Sequence, residues 1–315
     1  METETRDEKL GRAPLGKLMV SLAVPAVAAQ LINVLYNIVD RIYIGHIQGY
    51  GDVALTGVGV TFPIIMLISA FSAFAGMGGA PLASIELGKS NYSRAERILG
   101  NSAGLLVIFS VFLTVFFSIF KIPILYAFGA SDVTIVYAKE YISIYLIGTV
   151  FVQLALGLNT FISGQGAART AMLSVLIGAV INICLDPVFI FGVNMGVKGA
   201  ALATVISQAV SAVWVVHFLV SKKSVIRLQL KNMRLKKDIL MQIAGLGISP
   251  FIMQSTESMV SITLNSGLQR YGGDLYVGTM SIMTSIMQLI VIPVQGITQG
   301  IQPIISYNYG AGKFE

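Results

Sequence analysis

The chain has 315 residues, 55% of them hydrophobic and only 11% charged, about half the charged share of a soluble domain. With a mean hydropathy of +0.79, this excludes an ordinary soluble globular protein and reads as a chain with many membrane spans. The net charge of +6 could signal nucleic acid, but the cations sit between apolar segments, so no nucleic-acid partner is expected.

Segments without charge recur at roughly 18–39, 53–85, 98–120, 141–168, 170–197 (broken by Asp186), 199–221, 239–269 (broken by Glu257) and 275–312. Each is long enough to cross about 30 Å of hydrocarbon as a helix. Isolated strands cannot satisfy their backbone in lipid, so the expectation is an all-α polytopic membrane protein with about eight transmembrane helices. With a cytoplasmic N-terminus, the inner loops would hold Arg6, Lys9, Arg12, Lys17, Lys89, Arg94, Arg97, Arg169, the 222–237 cluster and Lys313. Only Arg41, Lys121, Lys139, Lys198 and Arg270 would face outward, a bias that predicts this orientation in the cell membrane. The lone Cys184 rules out an internal disulfide.

The first span begins near Leu15 and carries Pro25, a bend. Its later turns place Gln30, Asn33, Asn37 and Asp40 at spacings of 3, 4 and 3, with Tyr36 one turn before Asp40. A polar stripe on a membrane helix faces protein or water, not lipid. The second span is rich in small residues and ends in Gly76-Met77-Gly78-Gly79-Ala80-Pro81. Gly88-Lys89-Ser90 resembles the end of a phosphate loop, but Ala83 stands where that motif needs glycine. Asn91-Tyr92-Ser93 is a glycosylation sequon in a loop read as cytoplasmic, so both signals are discarded. Residues 121–132 read as a short interfacial helix between spans 3 and 4.

Span 5 carries Asn182 and Asp186 four residues apart, hence on one helix face, followed by Pro187, which cannot donate to the Ile183 carbonyl. A carboxylate, an amide and a freed carbonyl on one wall form a candidate site for a proton or small cation. The alternative is a hydrogen-bonded kink with a permanently neutral Asp186. In span 6, Ala200-Ala201-Leu202-Ala203-Thr204 allows close helix packing. Residues 221–237 are the most basic stretch and read as an amphipathic surface helix linking two bundles.

A shift of 222 residues exposes an internal repeat. Leu18-Met19 matches Leu240-Met241, Gly51-Asp52 matches Gly273-Asp274, and Gly78, Pro81, Ser84 and Gly88 match Gly300, Pro303, Ser306 and Gly310. Six spans separate the copies, so both run in the same direction through the membrane. The expected organisation is a six-helix lobe (1–220), a basic linker (221–237) and the first two helices of a second, parallel-repeat lobe (238–315). On this reading the last four helices of the second lobe are missing and the chain is a fragment. Span 7 carries Gln254, Glu257, Ser258, Ser261 and Asn265, and span 8 carries Gln288, Gln295, Gln299 and Gln302. Met280, Met283 and Met287 share a face that suits either promiscuous apolar binding or ordinary lipid contact.

The parallel repeat, Pro25 and Asp40, the Gly78-Gly79-Ala80-Pro81 end of span 2, and Asn182…Asp186-Pro187 together resemble the multidrug and toxic compound extrusion (MATE) transporters. The resemblance implies two lobes around a cavity, exporting organic cations and amphipathic drugs against H⁺ or Na⁺, with no cofactor and monomeric in full-length form. It implies an ion site of Tyr36, Asp40, Asn182, Asp186 and Thr204, with Na⁺, if used, held by Asp40, Asn182, Asp186 and Thr204. Substrate-cavity candidates are Glu257, Gln254, Ser261, Gln288, Asn33 and Asn37, Glu257 matching the family's acidic residue in the seventh span. Two other functions stand beside antiport: a flippase for lipid-linked saccharides, which would favour a cationic cavity, and an intramembrane aspartyl enzyme using Asp40 and Asp186.

Overall fold

A computed structural model describes residues 10–313, apart from six side chains between residues 281 and 292. Helix α1 spans Leu15–Gly45, α2 Gly51–Gly88 and α3 Tyr92–Ala127. Helices α4 (Thr134–Ile147) and α5 (Thr149–Gly164) meet at Gly148 with a bend of 61°. Helix α6 covers Ala168–Pro187 and passes directly into a π-helical turn, Val188–Gly192. Helix α7 follows at Val197–Val220, and α8 runs Lys237–Gly310. No strand occurs among the described residues.

Six of these helices are long and apolar enough to cross a membrane, or seven if α4 and α5 form one bent span. Counting the two helices that meet at Gly273 within α8 separately, this agrees with the expectation of about eight. Spans 7 and 8 are joined as one 74-residue helical run, turned only at Gly273 (φ 69°, ψ −168°). A left-handed φ favours glycine, which lets the chain turn there without a loop.

Two ends of the bundle are fixed by contacts. At one end, Asn308 donates to the Leu10 carbonyl (2.9 Å), Lys313 to the Gly11 carbonyl (2.7 Å), and Arg94 to the Gln242 Oε1 (3.2 Å). At the other, Tyr50 stacks on Tyr137, Lys198 pairs with Glu140 (3.2 Å), and the Ser131 hydroxyl donates to Asp274 (3.0 Å). The described cations expected on the inner side gather at the first end; Arg6 and Lys9 lie outside the described residues.

Small residues bring the helices together, since packing inside a bilayer relies on close approach more than on a hydrophobic drive. Ala200, Ala201 and Ala203 are fully buried, as their spacing on α7 predicts. Gln153 of α5, also fully buried, accepts from Ser72 (2.8 Å) and donates to the Ile68 carbonyl (2.9 Å), tying α5 to α2. Leaving such a group unpaired costs about 1–3 kcal/mol, which makes this crossing specific.

Two local expectations are corrected. Residues 121–127 are not a separate interfacial helix: α3 continues through Pro123 to Ala127. The basic linker is not an amphipathic helix either. Apart from a 3₁₀ turn at Leu230–Met233 it is non-helical, because first-lobe side chains capture its backbone. Gln165 Oε1 accepts from Val225 N (2.7 Å) and the Ser224 hydroxyl (3.1 Å). Glu96 accepts from Arg227 N (3.1 Å) and the Gln229 amide (2.9 Å), and Asn101 takes Lys236 N (2.7 Å) and gives to Asn232 O (3.1 Å). Local side-chain partners of this kind compete successfully with helix formation.

Candidate ion and substrate site

Helix α1 packs along α6, and this contact joins the two acids that the sequence keeps 146 residues apart. Asp40 and Asp186 lie against each other, both buried, with Asp186 fully so. Asn182 Nδ2 donates to Asp186 Oδ1 at 3.2 Å, the i,i+4 contact expected from the spacing. Pro187 ends α6 and the helix widens into the π turn, so the break falls beside the carboxylate. A π-bulge at such a position is a common mark of a functional site. Cys184 is exposed on the other side.

Three buried oxygens in this cluster have no hydrogen-bond partner: Asp40 Oδ1, Asn182 Oδ1 and Asp186 Oδ2. Buried oxygens without partners are costly, so a donor or cation there would recover several kcal/mol, on the order of 1–3 for each group. All three are hard oxygen donors, the type preferred by small hard cations. Among the described residues, no three His, Cys, Asp or Glu side chains converge on one point.

The neighbours divide the remaining expected residues. Tyr36, one turn before Asp40, lies beside Gln208 and Asn37. Thr204 is buried beside Tyr141 and donates to the Ala200 carbonyl (3.0 Å). Sequence reasoning missed Tyr141 and Gln208. The spacing Tyr137, Tyr141, Tyr145, one per helical turn, and the placement of Gln208 one turn after Thr204 were the signals available. It also missed Arg41 as a neighbour of Asp40; its guanidinium stands 5.2 Å from the Phe62 ring centroid.

A cavity of about 240 Å³ begins at Tyr36 and extends toward the basic end of the bundle, between α1, α2, α5, α6, α7 and α8. Its polar wall includes Gln30, Asn33, Asn159, Ser174, Gln208, Gln254, Gln299 and Gln302, and no charged residue lines it. Gln30 Nε2 donates to Gln299 Oε1 across it at 3.0 Å, a direct bond between the two repeats. Asn33 and Gln254 both line this cavity. Asn37 is exposed and donates to the Asn33 carbonyl (2.6 Å). Ser261 is half-buried outside the cavity, and Glu257 is exposed and also outside it. On α8, Ser258 is buried and donates to the Pro63 carbonyl of α2 (2.9 Å), whereas its neighbour Glu257 is exposed. The Gln288 side chain lies outside the described residues, while Met283 and Met287 are exposed and line no cavity.

The sequence profile described as MatE matches residues 25–188 and 250–315, well over half of the chain. The chain belongs to the MatE family. The family is one of membrane transporters, not enzymes, so the aspartyl-enzyme reading of Asp40 and Asp186 falls away. The MatE chain is 27% identical over 317 residues to the multidrug export protein MepA of Staphylococcus aureus, covering 98% of this chain and 68% of that protein. It is 28% identical over 314 residues to MepA of Staphylococcus saprophyticus, with the same coverage. The solved MATE multidrug transporter DinF-BH, in complex with R6G, superposes with a TM-score of 0.91 at 36% identity, over 98% of this chain and 69% of that one. An outward-facing multidrug resistance MATE transporter superposes at 0.88 with 26% identity, over 99% of this chain and 69% of its own.

Proposed function

We propose that this protein is a secondary antiporter that exports organic cations and other amphipathic drugs in exchange for H⁺ or Na⁺. The observation that carries the reading is the buried Asp40–Asp186 pair, with three unpartnered oxygens in its cluster, one helical turn from Tyr36 on the wall of a cavity that no charged residue lines. Two touching carboxyl groups in a dry setting cannot both hold a bare charge; a shared proton or a cation between them relieves the repulsion. Binding of the coupling ion from one side of the membrane and release to the other would then be linked to opening of the cavity next to it. For Na⁺, the three oxygens and the Thr204 hydroxyl would act as ligands; for H⁺, the pair would carry the proton.

The names of the MepA and DinF-BH relatives support a multidrug substrate range. A cavity of 240 Å³ falls below the roughly 300–1,000 Å³ of a drug-sized pocket, so a drug would enter only as the walls part. The lack of Lys and Arg on the cavity wall favours antiport over a saccharide-lipid flippase. The clustering of cations at one end supports a cytoplasmic N-terminus in the cell membrane. Counterflow of a fluorescent organic cation in proteoliposomes, under separate H⁺ and Na⁺ gradients, tests the proposal. Uptake driven by either gradient supports it; no response to either would refute it.

A further inference from the structure

Between Lys222 and Lys236 the chain carries six cations and no acid. The transport site uses none of them. All six are exposed, and none forms an ion pair among the described residues, whereas Ser224 and Ile226 in the same stretch are buried. The division follows from the anchoring: Gln165, Glu96 and Asn101 hold the backbone from within the lobe and leave the charged side chains facing outward. At the centre of the stretch, Leu230 opens the 3₁₀ turn with 86% of its surface exposed. The strap crosses the bundle at the ends of its spans, packed on the first turns of α3, where exposed Arg97 adds to the charge, and on the α5–α6 turn beside exposed Arg169. Asp238 is the first acid after it.

Helix ends that bound a membrane span lie at the height of the lipid headgroups. An outward-facing row of cations around one exposed apolar side chain, at that height, matches a surface of anionic headgroups above acyl chains. We infer that the strap 222–236 is a binding site for anionic phospholipid, its lysines and arginines taking the headgroup phosphates and Leu230 entering the acyl boundary. Each cation near such a surface contributes roughly a fivefold gain in partitioning, so the set acts strongly together and weakens with salt. Pinning by the lobe keeps the cations in place before lipid arrives, which lowers the ordering cost of binding.

The test places an environment-sensitive fluorophore on Leu230→Cys in a Cys184→Ser background, with the whole protein reconstituted in vesicles. In phosphatidylcholine vesicles the emission should be that of a water-exposed probe. Added phosphatidylglycerol should shift it to the blue in proportion to its fraction, and about 1 M salt, where the screening length is near 3 Å, should abolish the shift. Combining Lys222→Gln, Lys223→Gln, Lys231→Gln and Lys236→Gln should remove the shift while leaving the melting temperature in detergent unchanged. Soluble glycerophosphate at the same concentration should not reproduce it. Equal emission in neutral and anionic vesicles, or a shift that survives both salt and the four substitutions, would overturn the inference. If the four-fold variant melts early, the salt series on the unaltered cations decides.

Discussion

Gly88 and Gly310 occupy the same position in the two repeats, and each is seated on the backbone of the other copy: Gly88 on the Tyr307 carbonyl, Gly310 on the Ile85 carbonyl. Ile85 and Tyr307 are themselves repeat partners, 222 residues apart. The pattern continues along the helices. Gly247 abuts the Phe74 carbonyl, and Gly296, the repeat partner of Phe74, abuts Val27. Gly78 packs on Ile243 and Gly247, while its partner Gly300 packs on Leu22 and Ala23. The exchange is between equivalent positions at Gly88 and Gly310 and offset by one or two residues further along, so the halves pack about an approximate local two-fold axis, the self-complementarity that a symmetric dimer has. A Cβ at any of these sites would enter the partner backbone, so glycine is required by space here and not by φ.

Gly310→Ala should therefore destabilise the protein by about 1–3 kcal/mol, the usual cost of overpacking, and Gly88→Ala should cost a similar amount. Gly16, which has open space around its Cβ, is the control, and Gly16→Ala should change little. Thermal unfolding in detergent measures all three. Equal melting temperatures for the Gly310 and Gly16 variants would contradict the close contact.

The linker gives a second prediction. Gln165→Ala removes the acceptor for Val225 N and the Ser224 hydroxyl, at about 1–3 kcal/mol. Trypsin should then cut at Lys222, Lys223 and Arg227 faster than in the parent, with Gln165→Glu, which keeps the acceptor, close to the parent rate. Unchanged cleavage would mean that the linker is held by other contacts.

How much of this was readable from the sequence depended on whether the signal was local. The helices and the Asn182–Asp186 contact follow from spacing within one segment, and each is found. The linker misled because its helical spacing at Leu235, Ile239 and Leu240 is real, yet the partners that unwind it, Glu96, Asn101 and Gln165, lie more than 50 residues earlier. Tyr141 meets Asp40 and Thr204 through packing between segments far apart in the chain, which no local pattern of polar residues announces. Glu257 shared a polar stretch with Gln254, but three helical steps leave the two about 60° apart, and Gln254 lines the cavity while Glu257 does not.

Gln30 and Gln299 should be energetically coupled. Their single hydrogen bond joins the repeats across the cavity, so Gln30→Ala, Gln299→Ala and the double variant form a cycle. A coupling of about 0.5–1.5 kcal/mol is expected in unfolding experiments, the net worth of one such bond. Strict additivity would mean that the bond does not persist in the membrane-extracted protein. In efflux assays both single variants should alter the relative preference among substrates, since both residues stand on the cavity wall.

The central claim is that the Asp40–Asp186 pair couples ion movement to export. The most direct measurement is gradient-driven efflux of a fluorescent organic cation by Asp186→Asn and Asp40→Asn, each with its membrane level determined in parallel. Asparagine keeps the size and the hydrogen-bonding capacity of the side chain but cannot carry the charge or the exchangeable proton. The account predicts that each variant inserts at the parent level and loses gradient-driven efflux. Efflux at the parent rate from the Asp186→Asn protein would contradict it.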